Sequence, residues 1–523
     1  MIAICFLWYS PLYCFLLFLS IFGTGLLLHP TQGAEHTLGL AGKVRAFMMI
    51  DITIERASEI PLYQQIARQL KEAVLSGELT SDYRLPSSRQ LAKMLAVARI
   101  TVTQAYEQVQ NEGYIVSRPG SGMYVAENLP LLAEKRPFSP ELSDWGHRVL
   151  ATPVTSTLVN NKPAIDFGIG RSFAQIFPYD VWRRLLARYL STDDAMLSRY
   201  GSVAGFLPLR EALATYLARY RGINCTPAQV VIVSGAQQVL DILARLLLKP
   251  GDDVLVETPG YVVAFDLFRA YGARLNALAV DDDGFPVEKI PEQSKARLAF
   301  VTPTHQFPRG GTMSLPRRLQ LLKWAQQHDG LIIEDDYDGD LRYDMRPQSA
   351  LQGLDGEGRV VYLGTFSKVL FPALRLAYVV LPSLLVKPFV QAKALIDRGA
   401  PTLTQAAIAD FITEGHFERH LNQLRHVYGH RRQTLVSALA RYLPGRVRFA
   451  QVAAGLHVML YLPPDCDETA VVQQVAARDV GVHPGAPYHL QKPAPPSLLL
   501  GFSGLSEPEI EAGVRRLAEV IGT

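Results

Sequence analysis

The group with the clearest chemistry in this chain is a lysine that closely follows two hydroxyl side chains. Thr365, Ser367 and Lys368 come directly after an apolar stretch, and Arg375 lies a short distance downstream. An amine of this kind can form an imine with the aldehyde of pyridoxal phosphate (PLP), while hydroxyls and a guanidinium suit the phosphate of that cofactor. The spacing therefore indicates a PLP site with Lys368 as its attachment point.

A run of carboxylates upstream supplies the second part of such a site. The segment Glu334-Asp335-Asp336-Tyr337-Asp338 directly follows the apolar run Leu331-Ile332-Ile333. A carboxylate beside the pyridinium nitrogen keeps that nitrogen protonated, so that the ring can accept electrons. Asp335 and Asp336 are both candidates for this role, because a shift of one residue fits the sequence equally well.

Length and composition describe a large protein with several domains. The chain has 523 residues, of which 48% are hydrophobic, and this length is typical of about two to four domains. Lys and Arg number 52 against 49 Asp and Glu, so any affinity for DNA must come from a local basic surface. The 4 cysteines are too few for a disulfide framework and lack paired zinc spacing, so no metal site is expected.

Residues 49–126 have the pattern of a winged helix-turn-helix. Apolar residues at helical spacing predict a first helix, serine caps predict a short second one, and a glycine ends the third. Two short strands around a glycine-rich tip follow and predict a β-hairpin. The predicted bounds are 62–76, then Ser87 or Ser88 to Leu95, then about Ile100 to Glu112, and the strands 114–116 and 123–125.

In such a domain the third helix enters the major groove of DNA by its N-terminal end, and the hairpin contacts phosphates or the minor groove. Any one arginine here could be an ordinary surface charge, but the ordered set along three elements favours binding to operator DNA. The residues expected to contact DNA are Arg89, Arg99, Thr101, Thr103, Arg118, Gly120 and Gly122.

The first 48 residues differ from everything that follows. Residues 1–28 are strongly apolar, and no Lys or Arg occurs before Lys43. The length suits a membrane-spanning helix, but a secretory signal needs a basic first region, and export would separate a DNA-binding domain from DNA. We expect that translation starts at Met48 or Met49 and that the protein is cytoplasmic and not bound to a membrane. A membrane anchor and a cleaved signal are the alternatives.

Residues 127–162 are rich in Pro, Ser and Thr and are interpreted as a linker with at most one short helix near Trp145–Val149. Residues 163–523 alternate helices with short apolar strands, which is typical of an α/β domain with a mainly parallel sheet. The pattern after about Leu384, with a final helix over 507–521, predicts a smaller α+β lobe. The predicted strands are Val230–Val233, Val254–Glu257, Ala299–Thr302, Leu331–Glu334, Val360–Leu363 and Ala377–Leu381.

Five motifs follow one another along the chain. They are Arg84-Leu85-Pro86-Ser87-Ser88-Arg89, Gly235-Ala236-Gln237-Gln238, Pro303-Thr304-His305-Gln306-Phe307-Pro308, Glu334-Asp335-Asp336-Tyr337-Asp338 and Gly364-Thr365-Phe366-Ser367-Lys368. In this order they resemble the MocR/GabR subfamily of GntR-type transcriptional regulators. These regulators join a GntR-like winged helix-turn-helix to a domain similar to fold-type I aminotransferases, and the resemblance covers about residues 50–520.

The resemblance implies a role for each residue of the cofactor site. Lys368 would carry the cofactor, Asp335 would pair with the ring nitrogen, and Tyr261 would stack on the ring. Tyr337 would donate a hydrogen bond to the ring oxygen, with His305 or Gln306 nearby. The residues implied at the phosphate are Gly235, Ala236 and Gln237 at the start of a helix, together with Thr365, Ser367 and Arg375, and Tyr200 reaching across from a second subunit of a homodimer.

The chain also departs from the related aminotransferases. They carry an arginine that binds the substrate α-carboxylate, and the matching residue here is Leu499, which cannot pair with a carboxylate. Ala98 and Ile100 replace hydroxyl residues that are common in the recognition helix, a departure that bears on the operator sequence more than on DNA binding itself.

Two functions are compatible with these patterns. The first is a PLP-dependent regulator that binds operator DNA as a homodimer and responds to an amine, an amino acid or PLP itself. The second is a working aminotransferase with a vestigial DNA-binding domain. Leu499 and the intact pattern of the DNA-binding domain favour the regulator, with at most residual transaminase activity.

Overall fold

The computed structural model describes residues 51–129, 139–153, 163–170, 174–192, 196, 198–343, 348–450, 454–492 and 494–522. The apolar segment 1–48, with the questions of start site and anchor, lies outside these residues. Within the described part of the chain, no helix is long and apolar enough to cross a membrane. The chain divides after Ser139 into two compact units.

The first unit is a winged helix-turn-helix, as predicted. Helix α2 begins where expected because the Ser87 side chain accepts from the backbone N–H of Gln90, whose own side chain bonds back to Ser87. Buried apolar side chains from all three helices, among them Ile66, Leu91 and Val102, form one core. The helices are α1 (Leu62–Leu75), α2 (Ser88–Met94) and α3 (Arg99–Asn111).

An antiparallel hairpin completes this unit. Strands β1 (Ile115–Arg118) and β2 (Gly122–Val125) pair along their full length. Gly120 and Gly122 at the tip have φ angles of 74° and 120°, a region that other residues rarely adopt. The strands reach closer to the tip than the predicted bounds, so the wing is longer and its turn tighter.

A seven-stranded sheet is the centre of the second unit. The strands are β4 (Val230–Val233), β5 (Asp253–Thr258), β6 (Arg274–Ala279), β7 (Leu298–Val301), β8 (Leu331–Asp336), β9 (Val360–Thr365) and β10 (Ala377–Val380). Their order in the sheet is β4-β10-β9-β8-β7-β5-β6, and only β10 runs against its neighbours, so the predicted, mainly parallel α/β fold is confirmed. The six predicted strands are present, and β6 at the edge was not predicted.

A smaller lobe with its own four-stranded antiparallel sheet confirms the predicted α+β lobe. Its order is β11-β12-β15-β14, and a separate short pair joins β3 to β13. The strands are β3 (Ile165–Asp166), β11 (Arg448–Phe449), β12 (His457–Tyr461), β13 (Val480–Gly481), β14 (His483–Pro484) and β15 (Ser497–Gly501).

Helices cover both sheets and bury their apolar faces in large cores. The last of them has the predicted bounds, and its Ser506 forms a capping box with Glu509. The helices of the second unit are Asp144–Ala151, Tyr179–Thr192, Leu207–Arg221, Ala236–Leu247, Val262–Ala270, Leu315–Gln327, Ser383–Ile396, Thr402–Thr413, His416–Tyr442, Glu468–Ala476 and Glu507–Ile521.

The segment interpreted as a linker contains the helix Asp144–Ala151, which belongs to the second unit. Arg148 donates from Nε to the carbonyl oxygen of Ala270 at 2.9 Å, and the Trp145 ring lies 6.3 Å from that of Tyr271. The position of this short helix agrees with the predicted one near residues 145–149.

The topology places several chain segments together at one edge of the large sheet. Strands β4, β5, β7, β8 and β9 are mutually parallel, so their carboxyl ends meet there. Ligands of open α/β sheets bind at that edge. The next residues after these strands include Gly235, Tyr261, His305, Tyr337 and Lys368, all of which were predicted site residues.

Candidate functional site

Lys368 lies in a turn that directly follows β9. The backbone N–H of Ser367 donates to Oγ1 of Thr365 at 3.1 Å, which closes this turn. The approach to the lysine is narrow, because a Cβ added to Gly170 would lie 3.0 Å from Nζ. Burial lowers the pKa of Lys368, while the charges of Asp338 and Asp335 act in the opposite direction. Burial thus increases the share of neutral amine, which is the form that can attack a carbonyl.

The two adjacent aspartates of β8 have different environments. Asp336 accepts hydrogen bonds from the guanidinium of Arg221 and from the hydroxyl of Tyr362, the latter at 2.6 Å. Successive strand residues point to opposite faces of a sheet, so Asp335 lies on the other face. The geometry therefore favours Asp335 as the carboxylate that would meet the ring nitrogen.

The environment of Asp335 suits a cationic partner. Burial, together with the charges of Asp336 and Asp338, raises the pKa of Asp335 to about 7, and only Lys368 among the main influences lowers it. A buried carboxylate under this repulsion would be stabilised by a positive group against it. A protonated pyridinium nitrogen is such a group, so the residues present fit PLP.

An anion-binding corner lies at the start of the helix Ala236–Leu247. A Cβ added to Gly235 would lie 3.4 Å from Nη2 of Arg375, so this guanidinium lies beside the free N–H groups of the helix. Arg375 has φ 50° and ψ 44°, the left-handed conformation. It forms no ion pair within the residues that the structure describes. A helix N-terminus with an unpaired guanidinium is suited to phosphate.

Two more side chains border this corner. Burial and the Asp335 charge raise the pKa of the Tyr261 hydroxyl, whereas the Arg375 charge opposes this rise. Tyr261 therefore lies near both charged groups. Gln237 faces that hydroxyl, yet its Nε2 is buried without a hydrogen bond of ordinary geometry in the described structure. Buried amides are nearly always paired, so Nε2 of Gln237 fits a site that holds a polar group such as a phosphate oxygen.

His305, rather than Gln306, lies beside Tyr337. The Tyr337 hydroxyl is 2.9 Å from Nδ1 of His305, and the same nitrogen is 2.9 Å from Oδ2 of Asp338. Gln306 instead donates from Nε2 to the carbonyl oxygen of Pro259 at 2.8 Å. The hydroxyl of Tyr337 is therefore held in place by a histidine and a carboxylate.

The sequence did not single out several residues that complete the site. His457, on β12 of the small lobe, stacks near Tyr337 with ring centroids 6.4 Å apart and lies 3.1 Å from the Pro308 carbonyl oxygen. Burial lowers the pKa of His457 to about 4, so the ring is neutral at pH 7. Glu257 is buried under Gln306, and burial raises its pKa to about 7. Arg221 comes from a helix more than a hundred residues before Asp336.

Leu499 and Tyr200, the two residues with predicted roles outside the pocket's main motifs, differ in exposure. Leu499 is buried on β15 opposite Met459, on the sheet face that also carries His457. No positive charge is thus offered from position 499. Tyr200 is 89% exposed, which leaves its side chain free to reach another subunit.

The residues of α3 that were predicted to contact DNA lie at the exposed N-terminal end of this helix. Arg99 is exposed, and its Nε donates to Oγ of Ser88 at 3.2 Å, which orients the guanidinium. The Thr103 hydroxyl donates to the carbonyl oxygen of Arg99 at 3.0 Å. Ile100 is 63% exposed, Thr101 is half-buried, and Arg89 on α2 is exposed.

Arg118 on the wing is less free than expected. Its Nη2 lies 2.6 Å from Oδ1 of Asp82 and 3.3 Å from Oε1 of Glu127, and its guanidinium lies over the Tyr124 ring at 4.5 Å. DNA phosphates would have to displace these carboxylates. Arg84 was not predicted as a contact, yet its guanidinium lies beside Gly122.

Comparisons with known proteins agree with both units. Residues 162–517 match the family of class I and II aminotransferases, and residues 62–125 match the gntR family of bacterial regulatory proteins. The chain is similar to an uncharacterized HTH-type transcriptional regulator, YdeL, of Bacillus subtilis, with 37% identity over 90% of this chain and 99% of the relative. It is 35% identical to the probable rhizopine catabolism regulatory protein MocR of Rhizobium meliloti, over 89% and 95% of the two chains.

A solved structure gives the same picture for the second unit. The multiple substrate aminotransferase of Thermococcus profundus has a TM-score of 0.67 and 30% sequence identity. The match covers 73% of this chain and 97% of that enzyme.

Proposed function

The chain belongs to the aminotransferase class I and II family and carries a GntR-type DNA-binding domain ahead of it, and from this premise we propose that occupancy of its cofactor pocket controls its binding to operator DNA. The protein is a transcriptional regulator of the MocR type, and its cofactor is PLP. The observation that carries the proposal is the convergence of Lys368, Asp335 and Arg375 at one sheet edge, in a chain whose recognition helix is exposed.

When bound, PLP supplies an aldehyde that links covalently to amines and a ring that accepts electrons. Lys368 offers the amine, and Asp335 offers the carboxylate for the ring nitrogen. Arg375 and the helix start at Gly235 would hold the phosphate, and Tyr261 would contact the ring. Tyr337, oriented by His305, offers a hydroxyl to the ring oxygen.

An effector would act at Lys368, the amine that would hold the cofactor. An incoming amine or amino acid would compete with Lys368 for the aldehyde that PLP supplies, and PLP itself would fill the pocket. Burial lowers the pKa of Lys368, and the charges of Asp338 and Asp335 oppose this, so the two carboxylates are the groups that respond to a change at the lysine. An effector that binds two states of the protein with different affinities meets the requirement for control of DNA binding.

A homodimer is consistent with operator binding and with the exposed apolar and aromatic side chains of the second unit. Operators with two half-sites are bound by two-fold symmetric proteins. The exposed Tyr200 and Leu395, the latter 90% exposed, are surfaces that a second subunit would cover. A cytoplasmic location, where the operator lies, belongs to the same proposal.

The direct test compares DNA affinity with and without the cofactor. The probe is a fragment that the full-length, PLP-loaded protein selects from random-sequence DNA, and affinity is measured by fluorescence anisotropy at fixed salt. We expect the PLP-loaded and PLP-free forms to differ in Kd by about fivefold or more, in line with ordinary coupling energies. The difference should be smaller in Lys368→Ala at the same PLP concentration, because this variant binds PLP only weakly and without a covalent link. Equal affinities of the two wild-type forms would contradict the proposal.

Transamination of common α-amino acids should be slow or absent. A substrate carboxylate that meets Leu499 instead of an arginine stays unpaired in a buried site, which costs about 3–5 kcal/mol. We expect turnover at least about a hundredfold below the ordinary enzyme value of ~10 per second. The measurement is oxo-acid formation by the PLP-loaded protein from alanine, glutamate and phenylalanine. Turnover near the ordinary value would favour the second function, an aminotransferase with a vestigial DNA-binding domain.

A further inference from the structure

A cleft of ≈ 540 Å³ lies outside the cofactor pocket. It opens between the carboxyl ends of β5 and β6 on one side and the small-lobe strands β11 and β12 on the other. Sites for small molecules commonly have volumes of about 300–1,000 Å³ and lie between lobes. Size and place therefore suit a small ligand.

Two arginines give this cleft its charge. Arg309, on the large-lobe side, pairs with Asp282, and it also donates from Nη1 to the Val280 carbonyl oxygen at 3.4 Å. Arg448, on β11, forms no ion pair within the described residues. Tyr461 also lines the cleft, and both guanidiniums oppose the rise in the pKa of its hydroxyl that burial causes. The two positive charges thus face one space.

Asp282, the ion-pair partner of Arg309, is far more exposed to solvent than the arginine. The side chain of Asp282 is 97% exposed, whereas that of Arg309 is only 21% exposed. An ion pair with so exposed a carboxylate contributes little stability, since water and salt screen it. An anion in the cleft would therefore replace Asp282 with little loss of free energy from the broken ion pair.

The rest of the lining favours an organic anion over a bare inorganic one. Pro259 and Phe449 supply apolar walls. His489 lines the cleft with a buried Nε2 that has no hydrogen-bond partner in the described structure, and burial lowers the pKa of this ring to about 4. A neutral imidazole and a tyrosine hydroxyl can bond a second polar group of a ligand.

The cleft and the cofactor pocket share one segment of chain. His305 contacts Tyr337 in the pocket, and four residues later Arg309 lines the cleft. The backbone N–H of Arg309 donates to Oε1 of Gln306 at 3.2 Å, and the Pro308 carbonyl oxygen lies 3.1 Å from Nε2 of His457. The two spaces are therefore separated by a single turn.

We propose that this cleft is a second ligand site, which binds a small organic anion between Arg309 and Arg448. The anion replaces Asp282 as the partner of Arg309, and its apolar part packs on Pro259 and Phe449. This site does not depend on the control of DNA binding proposed above, because its residues are distinct from those that hold PLP.

The test is isothermal titration calorimetry of the full-length, PLP-loaded protein with succinate and, separately, with inorganic phosphate. We expect one succinate site per chain and tighter binding of succinate than of phosphate. Arg309→Gln and Arg448→Gln should each weaken succinate binding about tenfold, because each removes a charged hydrogen-bond donor. Asp282→Asn should tighten it about two- to fivefold, because the competing carboxylate is gone.

The control variants change another arginine–aspartate pair, which lies at the surface outside the cleft. Arg297 and Asp329 have side chains 74% and 78% exposed and lie 3.1 Å apart, so Arg297→Gln and Asp329→Asn should leave succinate binding unchanged. Absence of binding at millimolar succinate would overturn the proposal. Equal affinity in wild type and both cleft arginine variants, or tighter binding of phosphate, would overturn it too. Unchanged melting temperatures show that the variants are folded.

Discussion

Lys368→Ala should abolish covalent attachment of PLP. The neighbouring residues can still hold the phosphate and the ring, but Lys368 is the amine at the end of β9, where Asp335 and Asp338 lie close enough to influence its pKa. The expected result is complete loss of the pyridoxyl group that borohydride reduction fixes to the wild-type chain. Peptide mass spectrometry after reduction should find this group on Lys368 in the wild type.

The control is Lys323→Ala, which removes an exposed lysine from the helix Leu315–Gln327. This variant should keep the full amount of reducible cofactor. A Lys368→Ala protein that still carried a pyridoxyl group on another lysine would show that the attachment site had been assigned wrongly. Weak, non-covalent binding of PLP to Lys368→Ala is expected, because Arg375 and the helix start at Gly235 remain.

Arg99→Ala should remove most of the preference for the operator. Arg99 lies exposed at the start of α3, where side chains of a recognition helix meet base edges, and Ser88 holds its guanidinium. A bidentate contact from arginine to guanine is worth about 1–3 kcal/mol of discrimination. The measurement is the ratio of Kd values on selected and random DNA over a salt titration.

Arg118→Ala is the companion variant and should behave differently. Its guanidinium already has Asp82 and Glu127 as partners, so a DNA phosphate gains only part of the usual attraction. We expect a small loss of affinity that is equal on all sequences, with a slightly flatter salt dependence. An Arg99→Ala protein with undiminished operator preference would show that α3 does not contact the bases as proposed.

Local signals explain why the DNA-binding unit could be predicted closely from sequence. The capping box at Ser87 and the glycine after α3 each fix a helix end through a contact within a few residues. The missed strand β6 has no such signal. Its sequence, Arg274 to Ala279, alternates weakly, and its only neighbour in the sheet is β5, so its position depends on a pairing that the sequence does not display.

In the cofactor site, too, residues in local motifs could be proposed from the sequence, whereas residues from distant segments could not. Residues in contiguous motifs, such as Asp335 and Lys368, can be proposed from the sequence because a known chemistry needs them at that spacing. Arg221 and His457 could not, because each reaches the site from a distant part of the chain and acquires its role only through burial. The choice between Asp335 and Asp336 likewise needed Arg221, which occupies one of the two carboxylates.

At Arg375, a backbone without strain and a positive charge beside Gly235 require different residues. Glycine adopts this conformation without strain, whereas a side chain there carries a cost on the order of 1–3 kcal/mol. Only arginine, however, places a guanidinium beside Gly235. Most substitutions at this position would therefore lose the charge and keep the strain, and glycine would relieve the strain but lose the charge. Arg375→Gly should therefore raise the melting temperature of the PLP-free protein and weaken its binding of PLP, so that stability and cofactor affinity change in opposite directions at this one position.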